Sequence, residues 1–244
     1  MPMRHFNLAL DKFDSRDLVY TKSQSSYPAK VDLRNKCSPV EDQGQIGSCT
    51  ANALVGSLEF LEKTEGSNFI DLSRLFIYYN ERSIEHREDT DAGSTLRDGI
   101  KALKNYGTCA ESTWPYEEKL LLKKPTPDAY AQGARRKISK YERLKNLEDM
   151  IDCLARGFPF VFGVKVFESF ESPVARETGF IPLPNMHEKF LGGHALLAVG
   201  YDNDRKLLLF KNSWGTKWGK EGYGFLPYDY LTLGLTLDYW TIQK

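Results

Sequence analysis

The chain has 244 residues, 41% of them hydrophobic, and its 33 Lys plus Arg balance 33 Asp plus Glu. That hydrophobic share excludes a disordered chain. A formal net charge of zero with interspersed signs removes any global pull toward nucleic acid or anionic membrane, so neither is expected as a partner.

No apolar run reaches the length of a membrane-spanning helix. The opening stretch, MPMRHFNLALDKFDSRDLVY, lacks the apolar core of a secretory signal, so the cytoplasm or another reducing compartment is expected. Cys37, Cys49, Cys109 and Cys153 contain no C-x-x-C pair, which argues against a zinc site. Without an export signal, all four are expected as free thiols.

Residues 1–30 are polar and mixed, ending in TKSQSSYPAK, and read as an extended strap. Its apolar residues, Phe6, Leu8, Leu10, Phe13, Leu18 and Val19, are too few for a core. They are expected to pack along the rest of the protein or to cross a cleft and shield it. From residue 31 the pattern becomes that of a folded domain. Ala51, Leu54, Val55, Leu58 and Leu61 recur at helical spacing. A second helix is predicted from Ser73 as N-cap, burying Phe76, Ile77 and Tyr79. A third runs from about Thr95 to Tyr106, with a Thr95/Asp98 capping box and Gly107 as the stop. A basic, Pro-containing stretch, LLKKPTPDAYAQGARRK, reads as a solvated connector. A fourth helix covers Leu147 to Arg156, capped by Asn146 and ended by Gly157.

From residue 158 short aromatic and β-branched runs follow one another: FPFVFGVKVF, HALLAVGYD, KLLLFKNSW, YGFLPYDYL and DYWTIQ. Helices first and strands second, without alternation, predict an α+β architecture. The helical lobe spans about 40–135 and an antiparallel β lobe about 136–244. A cleft between lobes is a preferred place for a site.

Cys49 stands in EDQGQIGSCTANA, at the first turn of the first core helix. Unpaired N–H groups and the positive end of the helix dipole gather there and favour thiolate. The competing reading is a small buried residue that merely starts a helix. A nucleophilic thiol needs a base. His5 and His86 fall in exposed surroundings and His187 in a Pro-rich loop, whereas His194 follows Gly192-Gly193 and opens a strand. Asn212 lies on the next strand, where it can orient the imidazole, with Trp214 placed to cover that contact from water.

The strings QGQIGSC, GGHALLAVGYD and KNSWGTKWGKEGYG together resemble the papain-like cysteine peptidases, over about Val31 to the C-terminus. The histidine falls 145 residues after the cysteine, within the spacing of that family. The resemblance implies a two-lobe fold with the active site in the cleft. It implies Cys49 as nucleophile, His194 as general acid/base, Asn212 as its orienter, and Gln43 with the Cys49 N–H as oxyanion donors. A thiolate–imidazolium pair of this kind lowers the thiol pKa to roughly 3–4. Gly93 and Ser94 would pair with substrate backbone, and Trp214 and Trp218 would line the far side of the cleft. Leu96, Phe162-Gly163 and Gly192-Gly193 would build a pocket for an apolar side chain two residues before the cut. Its floor would come from LPYDYLTLGLTL, where Asp229 is the one residue that would invite a basic side chain instead.

The chain departs from the family pattern in two places. Ile46 stands where a cysteine usually forms a disulfide that pins the active-site loop, and no cysteine appears around Asp91-Ala92-Gly93 to receive one. Thr50 replaces an aromatic residue. The long inhibitory pro-region is also absent, as in short bacterial- or viral-type members. The expected function is a monomeric cysteine endopeptidase acting on peptides or proteins, with no cofactor. The alternatives are a catalytically quiet peptide-binding scaffold, or an acyl transferase or deamidase using the same Cys-His-Asn site.

Overall fold

The computed structural model describes residues 4–23, 26–66 and 68–244. Helix α1 (Cys49–Thr64) runs through the centre, and Cys49 to Glu62 are all buried. A helix enclosed on every side needs small residues where neighbours approach. Gly56 serves there, since a Cβ would already touch Leu197 at 3.5 Å. Helices α2 (Arg74–Ile84) and α3 (Leu96–Tyr106) pack beside α1. The predicted caps are in place. Ser73 accepts the Phe76 N–H at 3.1 Å, and Thr95 accepts the Asp98 N–H at 3.1 Å. Gly107 ends α3 at φ +66°, where a Cβ would collide with the carbonyls of Gly133 and Arg136.

The connector is more structured than its composition implies. Helix α4 (Pro127–Gly133) forms inside it, with Thr126 accepting the Ala129 N–H at 3.3 Å and Pro127 at the first helical position. Tyr130 anchors it edge-on against Phe76, 5.0 Å between ring centroids.

The β lobe is a seven-stranded sheet in the order β2-β7-β3-β4-β5-β6, with β1 also pairing β4, and every pairing is antiparallel. Its strands are β1 (Lys30–Asp32), β2 (Lys140–Arg143), β3 (Phe160–Phe167), β4 (Phe190–Asp202), β5 (Leu207–Lys211), β6 (Tyr223–Pro227) and β7 (Thr236–Gln243). The short helices α5 (Leu147–Ala155), α6 (Pro173–Thr178) and α7 (Asp229–Thr232) fall within the same part of the sequence. Strand β1 precedes the helices in sequence yet belongs to this sheet. Among the described residues, no helix is long and apolar enough to cross a membrane.

Register positions the site. Leu197 of β4 pairs Lys211 of β5, so the chain just beyond β5 runs alongside the start of β4. Asn212 and Trp214 thereby come next to His194. The segment before α1 then joins the β lobe: Gln43 N–H donates to Ser213 O and Gly215 N–H to Glu41 O, both at 2.9 Å.

Candidate active site

Cys49 is the first residue of α1, and its N-cap Ser48 makes no side-chain capping bond. The Ser48 hydroxyl is instead bonded to Tyr116 Oη at 2.6 Å. The first N–H groups of the helix are therefore left facing the cleft. The thiol has the backbone N–H groups of Cys49, Thr50 and Ala195 around it.

His194 Nε2 lies 2.9 Å from Asn212 Oδ1. The same Oδ1 accepts the Ser213 N–H at 2.9 Å, which fixes the amide orientation, because a backbone N–H can only donate. Nε2 must then carry the imidazole proton. Nδ1 is left as the lone-pair nitrogen, buried and without a hydrogen-bond partner. Trp214 stacks on the imidazole, with 4.8 Å between ring centroids and 24° between the planes.

Gln43 is held at both ends. Its Oε1 accepts from Ser213 Oγ at 2.6 Å and its Nε2 donates to Ile46 O at 2.9 Å, leaving the second Nε2 hydrogen unspent. Ser213 thus touches both amide side chains, a role its place between Asn212 and Trp214 did not disclose in the sequence.

The strap lies in the cleft. Leu8 N–H donates to Gly193 O at 3.2 Å, Gly193 N–H to Phe6 O at 3.1 Å, and Ala9 N–H to Ser94 O at 3.0 Å. The backbones approach so closely that a Cβ on Gly93, Gly192 or Gly193 would strike the carbonyl oxygen of Asn7, Phe6 or Leu8. Phe6 sets its edge toward His194 and Trp214, with centroids at 6.4 and 6.0 Å. The Arg4 guanidinium sits 4.4 Å over the Trp214 ring and pairs with Glu171 at 3.4 Å. The Leu8 side chain enters the pocket beside Gly163, where a Cβ would lie 2.7 Å from Leu8 Cδ2 and 2.8 Å from Leu237 Cδ1.

This packing bears on two expectations about the cleft. The C-terminal residue that meets Leu8 at Gly163 is Leu237, at the end of LPYDYLTLGLTL, while Asp229 is exposed at the start of α7. Trp218 packs edge-on behind Trp214 and against Phe170 and Phe210, and it is Trp214 that meets the strap. Leu96 is fully buried at the start of α3.

Burial of both side chains opposes the protonation expected from the motif. Desolvation pushes the Cys49 thiol up to about 12, outweighing the three N–H groups that favour thiolate. Desolvation also brings His194 down to about 4; the Asn212 bond opposes this and Arg4 adds to it. In the covered site burial therefore favours the neutral thiol and the neutral imidazole.

A second set of bonds fixes the strap farther along. Asp11 accepts from Trp240 Nε1 at 2.7 Å, Arg143 Nη2 at 3.0 Å and the Arg97 N–H at 3.0 Å. Arg143 also reaches Asp17 at 3.2 Å and Asp238 at 3.1 Å. Tyr20 N–H donates to Arg143 O at 2.9 Å, so residues 18–20 run along the edge of β2. The four cysteines are buried and free. Among the described residues, no three His, Cys, Asp or Glu side chains converge as a metal would require.

The sequence profile of the papain family cysteine proteases matches residues 27–230. The chain belongs to the papain family. It is 42% identical over 214 residues to an uncharacterised peptidase C1-like protein of Acanthamoeba polyphaga mimivirus, a match spanning 83% of this chain and 69% of that protein. Cathepsin K of Gallus gallus is 31% identical over 212 residues, 83% of this chain and 59% of that protein. Among solved structures, xylellain, a cysteine protease from Xylella fastidiosa, superposes with a TM-score of 0.92 at 37% identity, covering 100% of this chain and 97% of that one. The papain-like peptidase is a thiol-dependent hydrolase by this membership, and its α+β two-lobe architecture is that of the family.

Proposed function

We infer that the chain is an endopeptidase whose own strap occupies the cleft until it is displaced. With the cleft open, His194 Nδ1 takes the proton of the Cys49 thiol. The sulfur attacks the peptide carbonyl carbon, and the π electrons move onto oxygen. That oxyanion meets the free Nε2 hydrogen of Gln43 and the N–H of Cys49, donors already held in place. The tetrahedral adduct collapses, the C–N bond breaks, and the amine leaves with the proton from Nδ1. Water, deprotonated by the same nitrogen, then attacks the thioester and releases the acid and the thiol.

The observation that carries this reading is the unpartnered, buried Nδ1 of His194, whose other nitrogen is committed to Asn212. A satisfied core histidine would have partners on both nitrogens. The pocket that takes Leu8 supports a preference for an apolar residue two positions before the cut. Full burial of Leu or Phe is worth roughly 1.5–3 kcal/mol, and a charged side chain would find no partner beside Gly163 and Leu237. The test is a peptide-library digest with the full-length chain carrying Leu8→Asp, which places a charge in that pocket. Cleavage after sites with Leu, Val or Phe two residues upstream is expected, and none with Cys49→Ala. Absence of any cleavage in the Leu8→Asp chain contradicts the reading.

A further inference from the structure

Gly47, two residues before Cys49, belongs to the loop that carries Gln43. Within that loop the Gly44 N–H is taken by Asp42 Oδ1 at 2.9 Å and the Ile46 N–H by Gln43 O at 3.2 Å. The Gly47 N–H has no acceptor inside the loop. It donates across to the Asp91 carboxylate, at 3.1 Å to Oδ1 and 3.2 Å to Oδ2. The hydroxyl of Tyr78, a fully buried residue of α2, donates to the same Oδ1 and accepts the Gly93 N–H at 3.1 Å. The Arg82 guanidinium lies 4.1 Å over the Tyr78 ring and holds it down. The packing is tight enough that a Cβ on Gly47 would lie 3.1 Å from Asp91 Oδ1 and 3.2 Å from Tyr78 Oη.

The geometry points to Asp91 and Tyr78 as a hydrogen-bonded clasp that sets the Gln43–Cys49 loop against the Gly93–Ser94 turn, making both of them positioning residues for catalysis. Three segments distant in sequence meet at one carboxylate. An ionised carboxylate suits the place because it accepts from several directions and offers no competing donor. Bonds to it are stronger than neutral ones. This is where a covalent tie between the two loops is absent: Ile46 precedes Gly47, and Asp91 stands in the facing turn.

The two arms act on different parts of the reaction. The Asp91 arm fixes the loop that carries the Gln43 amide, and a small misplacement of an oxyanion donor is felt in kcat. The Tyr78 arm fixes the Gly93 N–H and so the turn that pairs with substrate backbone, which is felt in KM. This rests on Cys49 and Gln43 acting as read above.

The test compares Asp91→Ala, Asp91→Asn and Tyr78→Phe in the full-length Leu8→Asp chain. A peptide aldehyde is the first probe, because its adduct with Cys49 places an oxyanion at the Gln43 amide. Iodoacetamide is the second, because its displacement reaction makes no oxyanion. Asp91→Ala should lower kcat and aldehyde affinity together by about 10–100-fold, with KM nearly unchanged. Its rate of Cys49 alkylation should stay within about threefold of the parent. Asp91→Asn keeps an acceptor oxygen and should recover most of the loss. Tyr78→Phe should raise KM more than it lowers kcat. Unchanged aldehyde affinity in Asp91→Ala overturns the proposal, as does an alkylation rate that falls in step with kcat. Hydrogen exchange reads the clasp without activity. In the otherwise unaltered full-length chain, Asp91→Ala should speed exchange across 43–48 while the middle of α1 is unaffected, and unchanged exchange there overturns the proposal. A parent chain whose Cys49 does not react at all would instead defeat the active-site reading, with the exchange result standing on its own.

Discussion

Ser213 Oγ holds Gln43 Oε1 at 2.6 Å, which leaves the amide nitrogen as the end of that side chain free to face the cleft. The hydroxyl can donate only to an oxygen-bearing end or accept from a nitrogen-bearing one. The Gln43 Nε2 bond to Ile46 O settles which end is which. Ser213→Ala removes the hydroxyl but keeps the backbone N–H that orients Asn212. We expect kcat to fall roughly 10-fold, less than the ~10²–10³ for deleting the donor itself in Gln43→Ala. Steady-state kinetics of both single variants and the double variant check this. The Ser213 effect should vanish once Gln43 is alanine.

The strap should release as the solution is acidified. His194 has its folded-state pKa lowered to about 4 by burial, against an ordinary value near 6.5. A cover that keeps the imidazole neutral is fully favoured above pH 6.5 and weakens as pH falls toward 4, because the uncovered form then binds the extra proton. The rate of Cys49 alkylation in the Leu8→Asp chain, divided by that of the unaltered chain, should decline toward one over this interval. Arg4→Gln removes a neighbour that opposes imidazole protonation in the covered site, so it should narrow the gap between covered and uncovered forms and make the decline shallower.

The strap has two parts that should separate on truncation. Removing residues 1–9 takes away the segment bonded to Gly193 and Ser94 and should raise peptidase activity without unfolding. Removing residues 1–22 also deletes Asp11, Asp17 and Tyr20, leaving Arg143 without two of its carboxylates and the Trp240 Nε1 without its acceptor. Breaking a buried charge cluster on one side costs about 3–5 kcal/mol. Thermal melts should show the longer truncation, and Arg143→Ala, lowered by roughly 10 °C.

Pocket size follows from Gly163. A methyl group there would sit 2.8 Å from Leu237 Cδ1 and in the space Leu8 occupies. Gly163→Ala should shift the preferred upstream residue from Leu or Phe toward Val or Ala. A positional scanning library reads this directly, and a preference for Arg or Lys in the Leu8→Asp chain would contradict the apolar pocket.

The helices and the candidate Cys-His-Asn set were legible in the sequence because their signals are local. Ser73, Thr95 and Asn146 cap what they precede, and Gly107 stops α3. The strings around Cys49, His194 and Asn212 carry their own spacing. That the strap could cross the cleft was one of two readings the sequence offered; the bonds that seat it were not legible, since residues 6–9 have no period and bond mainly to glycine backbone. Asp11 finds Arg143 and Trp240 at separations of 132 and 229 residues, which no pattern announces. Helix α4 was missed although Thr126-Pro127 is a readable start, because the surrounding basic residues suggested a solvated connector. Asp91 was noticed only as the place where a cysteine is lacking. Its pairing with Gly47 depends on the fold bringing two glycine-containing loops together.

The most direct measurement is competitive alkylation of the full-length chain with sub-stoichiometric iodoacetamide, followed by peptide mapping, with and without Leu8→Asp. Cys49 should be modified before Cys37, Cys109 and Cys153, and Leu8→Asp should accelerate this labelling alone. Labelling of another cysteine first, or a Cys49 rate indifferent to Leu8→Asp, would contradict it.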